Sequence, residues 1–274
     1  MKKLFGWISS NERQVIELII LFAATIIPFF IDLHELFKDY LSESTLSTDN
    51  FFWLIAIEKG KGFAAIIIFC ALLMLIRRIN KDFVMNHKYL YHDYCYAWYW
   101  VCAKILGIRK CNLELVPINM QFKLVLRGTF AEYPFEISEY PSIDDEPECH
   151  VSITDSNIAS SEINMIIEDT YIIERRQIPE SKQCIKTITI TRNDGTDHSR
   201  HFSQQLINAV VNSARSICDA SVVNVFSTTN SLNTKHIASS AFGLSERGNI
   251  NHLYVFQQEK NGIRKFEPDG YKIY

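Results

Sequence analysis

The sequence predicts an α+β protein: a two-helix transmembrane hairpin at the amino-terminal end, then a mainly antiparallel, β-rich domain with one or two packed helices. Three observations carry this. Residues 18–31 (LIILFAATIIPFFI) and 63–76 (FAAIIIFCALLMLI) are uncharged runs of 14. From about Cys111 long apolar runs stop and turn signals appear. Charge is also divided: residues 1–110 carry 13 Lys plus Arg against 10 Asp plus Glu, whereas residues 111–274 carry 15 against 21. The whole-chain figures hide this, since 274 residues with 47% apolar, 22% charged and a net charge of −3 describe an ordinary soluble protein. That balance excludes a basic nucleic-acid binder and an acidic disordered tail. Ten Gly and seven Pro exclude collagen-like and low-complexity classes, and seven Cys without a CxxC pair exclude a disulfide scaffold and a common zinc ribbon.

A bilayer core takes about 20 helical residues, so each apolar run needs its flanks. Extending the first back to Val15 admits only Glu17, and extending the second to Ile79 admits Arg77 and Arg78, which can snorkel from a helix end. The expected spans are 15–32 and 63–79, joined by a periplasmic loop, 33–62. Buried soluble helices are the alternative, but a helix facing one core shows a polar stripe, and these runs show none. The stretch before the first run contains Asn11, Glu12 and Arg13, and no small-x-small cleavage site follows it, so the run reads as a span rather than a cleaved signal peptide. Lys2, Lys3 and Arg13 precede the first span, and Arg77, Arg78, Lys81 and Lys88 follow the second. The longer connection holds only Lys38, Lys59 and Lys61. This bias places both termini in the cytoplasm. Residues 51–57 (FFWLIAI) suit the outer interface, and the EKGK that follows is expected to keep them from lengthening the second span.

Residues 89–100 read YLYHDYCYAWYW. Rings with a polar tip favour the headgroup level, which makes Tyr94, Trp98, Tyr99 and Trp100 candidate interfacial anchors on an aromatic juxtamembrane helix, 81–110. A helix on the inner leaflet and a helix packed on the soluble domain both fit. A third span would carry His92, Asp93 and Lys104 into hydrocarbon.

Residues 111–274 form the expected cytosolic domain. Strand candidates are 121–130, 133–138, 150–154, 163–173, 184–192, 222–226, 252–257, 263–266 and 271–274. In IKTITIT, Ile188 and Ile190 share one face with Lys186, and Thr187, Thr189 and Thr191 the other. Asn193-Asp194-Gly195, Asn261-Gly262 and Pro268-Asp269-Gly270 are candidate hairpin turns. Ser203 caps a predicted helix over 204–218, with Leu206, Val210, Ala214 and Ile217 as its apolar stripe. A second helix is predicted over 234–242, stopped by Gly243.

The densest ionisable cluster is NDGTDHSRH, with Asp194, Asp197, His198 and His201. Carboxylate and imidazole together can bind a metal or move a proton, but a strand would split His198 and His201 across two faces, and a polar hairpin explains the cluster more simply. Arg175, Arg176, Arg192 and Arg200, with His198 and His201, are candidates for holding an anion or partner; the alternative is a solvated sheet face. Glu17 and Pro28 are candidate membrane-active residues, with Arg77 and Arg78 at the second helix end. GxGxxG, GxxxxGK[ST], GxSxG and HExxH do not occur. No catalytic residue, metal or cofactor is assigned, and an enzyme is not expected.

A two-helix membrane hairpin followed by a β-rich domain resembles the two-transmembrane effectors of bacterial antiphage systems, which include retron effectors and the two-helix, β-rich effectors of CBASS signalling. The resemblance lies in the layout, 15–32, 63–79 and 111–274. It implies a multi-pass inner-membrane protein held silent until a phage cue acts on its cytosolic domain, after which the spans form a homo-oligomer and breach the membrane. The implied partners are membrane lipid and either a retron reverse transcriptase–DNA complex or a cyclic oligonucleotide from a nucleotidyltransferase. Direct nucleic-acid binding is not expected of the acidic domain. A membrane-anchored enzyme with a site near 194–201, and a non-toxic scaffold subunit, are the alternatives.

Overall fold

The computed structural model describes residues 10–31, 51–86, 90–141, 148–155, 161–192, 200–217, 220–243, 250–259 and 262–274. The chain forms two units, Met1–Phe83 with Trp98–Arg109, and Val84–Ala97 with Lys110–Tyr274.

Two helices dominate the first unit, α1 (Glu12–Phe30) and α2 (Phe51–Ile79). They pack antiparallel, because Glu17 near the start of α1 bonds Asn80 just past the end of α2. Only 17% of the most apolar window of α1 and 11% of that of α2 is buried. Ile19, Phe22, Phe30, Phe63, Ile67 and Met74 all point outward. Such faces suit hydrocarbon and are foreign to a soluble core helix. Residues 51–57 and the EKGK that follows continue as one helix with the second span, instead of being set apart from it. Lysine and glutamate are good helix formers, so the charges limit the apolar span, Lys59–Ile79, without ending the helix. In the aromatic segment, α3 (Tyr96–Trp100) runs into a π-helical turn, Val101–Ile105, and residues 90–95 are irregular. Gly107, at φ +73°, closes this segment. A Cβ there would stand 2.7 Å from the Arg77 Cγ, so only glycine fits.

The second unit holds a short parallel pair, β1 (Val84–Met85) with β2 (Lys110–Cys111), and a six-stranded sheet. The strands are β3 (His150–Thr154), β4 (Glu162–Glu168), β5 (Thr187–Thr191), β6 (Val222–Ser227), β7 (His252–Phe256) and β8 (Tyr271–Lys272), in the order β3-β5-β4-β6-β7-β8. The helices are α4 (Ile118–Leu126), α5 (Gln204–Arg215) and α6 (Ser231–Phe242). One sheet face presents Met165, Ile167, Ile188, Ile190, Val223 and Val255 to Phe122, Leu206, Val210, Ile237 and Phe242 from the helices. The other face buries Ile166, Phe226 and Phe256 under Ile173, Ile178 and Phe266.

The α+β class and the two leading helices are as expected, but the sheet is mixed rather than mainly antiparallel. The pairs β5/β4, β4/β6 and β6/β7 are parallel, and only β3/β5 and β7/β8 are antiparallel. The reason is the placement of the helices: α5 lies between β5 and β6, and α6 between β6 and β7, so both connections are crossovers. Strands covered on both faces also lose alternation, as β6 does with VVNVFS.

Three strand expectations fail. Residues 121–130 fall largely in α4, where Ile118, Phe122, Val125 and Leu126 face the core at helical spacing. Residues 133–138 form no strand and lead into a 3₁₀ turn, Ile137–Glu139. Residues 263–266 contribute only an isolated bridge, Gln258 to Phe266. The strand expected at 163–173 ends at Glu168. The Asn193-Asp194-Gly195 turn lies outside the described residues, as does Asn261. Pro268-Asp269-Gly270 is a bend into β8, where a Cβ on Gly270 would meet the Phe256 ring at 2.7 Å.

Both helices expected in this domain form. The Ser203 side chain caps α5 by accepting from the Leu206 amide at 3.0 Å, and Ile188 and Ile190 are buried while their threonine neighbours are half-buried. Asn230 caps α6, accepting from the Asn233 amide at 2.9 Å, so that helix starts three residues earlier than expected. Ser203→Ala removes the α5 cap and is expected to cost about 1 kcal/mol, read as a lower thermal midpoint in far-UV circular dichroism.

Candidate functional site

Parallel strands direct their backbone ends toward one edge of a sheet. Here the chain runs from β4 to β5 on one side, then crosses to β6 on the other side of β4. Such a switch in winding leaves a crevice beyond the carboxyl ends of the strands. A cavity of about 730 Å³ lies there, walled by residues just after β4 (Thr170, Tyr171), at the end of β6 and start of α6 (Ser227 to Ser231) and after β7 (Gln257, Gln258). Tyr91, Tyr140, Arg200 and Arg264 join them, with Glu114 and Glu139. The wall is rich in hydroxyls, amides and tyrosine rings, and its two arginines balance its two carboxylates.

Hydrogen bonds set this wall. Thr170 Oγ1 donates to the Thr228 carbonyl at 2.7 Å, and Thr228 Oγ1 donates to the Tyr171 carbonyl at 2.9 Å. The Ser227 and Thr229 hydroxyls lie 2.7 Å apart, as do those of Thr229 and Thr234. The Arg264 guanidinium stacks on the Tyr171 ring, 5.0 Å from its centre. Tyr140 donates to Glu114 Oε1 at 3.2 Å, and burial and that carboxylate push its hydroxyl pKa up. Burial, with Asp93 beside it, pushes Tyr91 up to about 12. Both phenols are therefore neutral donors at physiological pH.

Behind the crevice is a buried polar core. Arg192 Nε meets Asp169 Oδ1 at 2.6 Å, with side chains 2% and 0% exposed. Arg192 Nη2 also donates to the Asp169 carbonyl at 3.0 Å. Asp169 Oδ2 accepts from the Asn230 amide at 3.1 Å and from Asn233 Nδ2 at 3.0 Å. The guanidinium lies on the His201 ring, with Nη1 3.0 Å from Nδ1, and the His201 carbonyl accepts from both asparagine side chains. Burial raises the Asp169 pKa, opposed by Asn233, Arg192 and the Asn230 amide. These contacts tie the ends of β4 and β5 to the start of α6 and so hold the crevice floor.

The structure thus separates the candidate anion-binding residues. Arg192 and His201 come together but are sealed in this core. Arg200 lines the crevice. Arg175 and Arg176 sit in an exposed 3₁₀ turn, where Arg176 pairs with Glu174. His198, Asp194 and Asp197 lie outside the described residues. Thr228, Asn230, Asp169 and Asn233 were missed; they are scattered from 169 to 233, and no local spacing marks them.

In the first unit, Glu17 belongs to a closed polar cluster. Arg13 Nε donates to Glu17 Oε1 at 3.0 Å, and Arg13 Nη2 to Asn80 Oδ1 at 2.8 Å. Asn80 Nδ2 donates to Glu17 Oε2 at 2.7 Å and to the Leu106 carbonyl at 3.1 Å. Pro28 is buried within α1, where its missing N–H leaves the Ala24 carbonyl without a helix partner. The Arg77 stem covers Gly107, and Arg78 is exposed. Trp98 donates to Asn11 Oδ1 at 2.9 Å, Tyr99 is fully buried and Trp100 is exposed. Tyr94, in the second unit, contacts His92, with its hydroxyl 3.1 Å from Nδ1.

Two outward-facing apolar helices, each long and apolar enough to cross a bilayer, beside a mixed-sheet domain with a polar crevice define a membrane protein. The chain belongs to the SUa-2TM family, the SMODS- and ubiquitin-system-associated 2TM effector domain, which it matches over residues 1–274. No curated protein matches it. Among the solved structures similar to it are two of the Acinetobacter baumannii Cap4 SAVED/CARF-domain receptor. The complex with 2′3′3′-cAAA gives 9% identity and a TM-score of 0.42. The complex with 3′3′3′-cAAA gives 10% and 0.43. In each case the match covers 85% of this chain and 62% of that one, so the chain spans less than two thirds of the receptor's length.

Asp169→Ala would leave Arg192 buried and unpaired. It is expected to destabilise the protein by about 3–5 kcal/mol, read as loss of the cooperative melt of the second unit.

Proposed function

We propose that this chain is the membrane-acting effector of a CBASS-type antiphage system. A cyclic oligonucleotide made by a partner nucleotidyltransferase occupies the crevice, and the protein then oligomerises and depolarises the inner membrane. The observation that carries this is the crevice itself, at the carboxyl ends of β4, β6 and β7, with arginines, tyrosines and hydroxyls converging on it. Its volume, about 730 Å³, is within the range of small-molecule sites. Arg200, Arg264 and the start of α6 suit phosphates. The Tyr91, Tyr140 and Tyr171 rings offer faces for bases, and the Ser and Thr hydroxyls offer partners for ribose. The net −6 of residues 111–274 does not oppose this, because recognition is local and the crevice is charge-balanced. The SMODS association of the family favours a cyclic-oligonucleotide trigger over a retron reverse transcriptase–DNA inhibitor.

In this reading residues 1–80 act on the membrane, 81–110 form the juxtamembrane segment, which lends Tyr91 to the crevice, and 111–274 supply the rest of the ligand-sensing domain. Both termini face the cytoplasm. Two helices cannot line a polar lumen alone, so damage requires several copies. Glu17, Pro28, Arg77 and Arg78 shape the spans, and Tyr94, Trp98, Tyr99 and Trp100 lie near the headgroups. The protein performs no catalytic step of its own.

Titrating the purified protein with a panel of cyclic di- and trinucleotides tests the ligand. One member is expected to bind, and Arg200→Glu or Arg264→Glu to weaken it about ten- to a hundredfold by removing a charge-assisted bond. That ligand should collapse the potential of proteoliposomes, and deletion of residues 1–80 should abolish the collapse. A panel without a binder, or collapse that survives the deletion, rejects the proposal.

A further inference from the structure

We infer that β3 is a self-pairing edge, through which two copies of this chain join their sheets antiparallel about a two-fold axis at Ser152. The two ends of the sheet differ. β8 is two residues long and carries Lys272, both of which blunt an edge. β3 has five residues, HVSIT, every one exposed and none carrying a carboxylate, lysine, arginine or proline. Among the described residues it pairs only with β5, so one side of its backbone offers amides and carbonyls to another strand.

The chemistry of that edge selects a second copy. In the two-fold register Ser152 faces Ser152, Val151 faces Ile153 and His150 faces Thr154. Two apolar β-branched pairs form, and no like charges meet. Asp155 would stand opposite Cys149, and its carboxylate is already drawn to Lys186 of its own chain at 3.4 Å. Val151 and Ile153 are opposite Ile190 and Ile188 of β5, which places them on the helix-covered face. There they are 42% and 59% exposed. On the same face a groove between β3 and α5 is lined by Val151, Asn208, Ala209 and Asn212, and it receives the partner's β-branched side chains. A five-residue edge is a small contact, weak in solution, but confinement to a membrane raises the effective concentration of the partner. This deepens the oligomeric part of the proposed function. Its test reads contact rather than membrane damage, so either can fail alone.

The test uses the full chain in proteoliposomes at rising protein density. Ser152→Cys, placed on the axis, is expected to give a disulfide-linked dimer on mild oxidation at least tenfold above the wild-type background from the native cysteines. Adding Val151→Lys or Ile153→Lys should return it to background, with an unchanged melting midpoint because both positions are exposed. Dimer no stronger than wild type overturns the inference, and so does dimer indifferent to the two lysines, which would report random collision. In cell membranes, a Ser152→Cys adduct of a mass other than twice the chain would assign the edge to another protein and equally overturn it.

Discussion

The buried pair of Asp169 and Arg192 is the contact on which the second unit turns. Neither charge is tolerable alone in a dry interior, so each forces the other into place, and the carboxylate's remaining lone pairs force Asn230 and Asn233 into place as well. The consequence is geometric. The residues just after β4 and β5, His201 and the first turn of α6 meet at one point, and the crevice wall is built outward from it. Thr228 and Thr170 extend the same logic by stitching the ends of β4 and β6 together across the winding switch.

The first unit solves a related problem at the membrane. Glu17 is an acid at the edge of an apolar span; its carboxylate is paired with Arg13 one turn away and accepts a hydrogen bond from Asn80, just past the end of the other helix. Asn80 is fully buried and uses both ends of its amide, which makes it a joint between α1, α2 and the backbone of the 98–109 segment. Outside this joint the helices present isoleucine and phenylalanine that no described residue covers, faces suited to lipid. The two units therefore place their polar groups by opposite means, one by burial in protein and the other at the boundary of a solvent that protein does not supply.

Local pattern made part of this legible. An uncharged run of 14 residues has few soluble explanations, and Ser203 ahead of a Leu206, Val210, Ala214 stripe can hardly be other than a capped helix. The alternation of IKTITIT survives because β5 has one covered and one half-covered face. Other features depend on partners far along the chain. In 121–126, QFKLVL alternates like a strand, yet Ile118, Phe122 and Val125 also satisfy helical spacing, and packing against the sheet decides between them. The parallel pairing of β4 with β6 joins residues about sixty apart, which no local period reports. The crevice is harder still, since its wall is assembled from eight separate stretches from Tyr91 to Arg264, most of them ordinary polar residues.

β1 and β2 carry a consequence for how this protein can be divided. They belong to the same unit as the large sheet, yet they bracket residues 98–109, which belong with the two spans. The chain passes between the units three times, so no single cut yields both intact. A fragment beginning at 111 lacks β1, half of β2 and the amide of His92 that bonds the Leu115 carbonyl beside the crevice. Exchange of the second unit between relatives has to carry 84–97 along with everything from 110 onward. In evolutionary terms, the two units are interleaved by sequence, and recombination at a single breakpoint would damage one or the other.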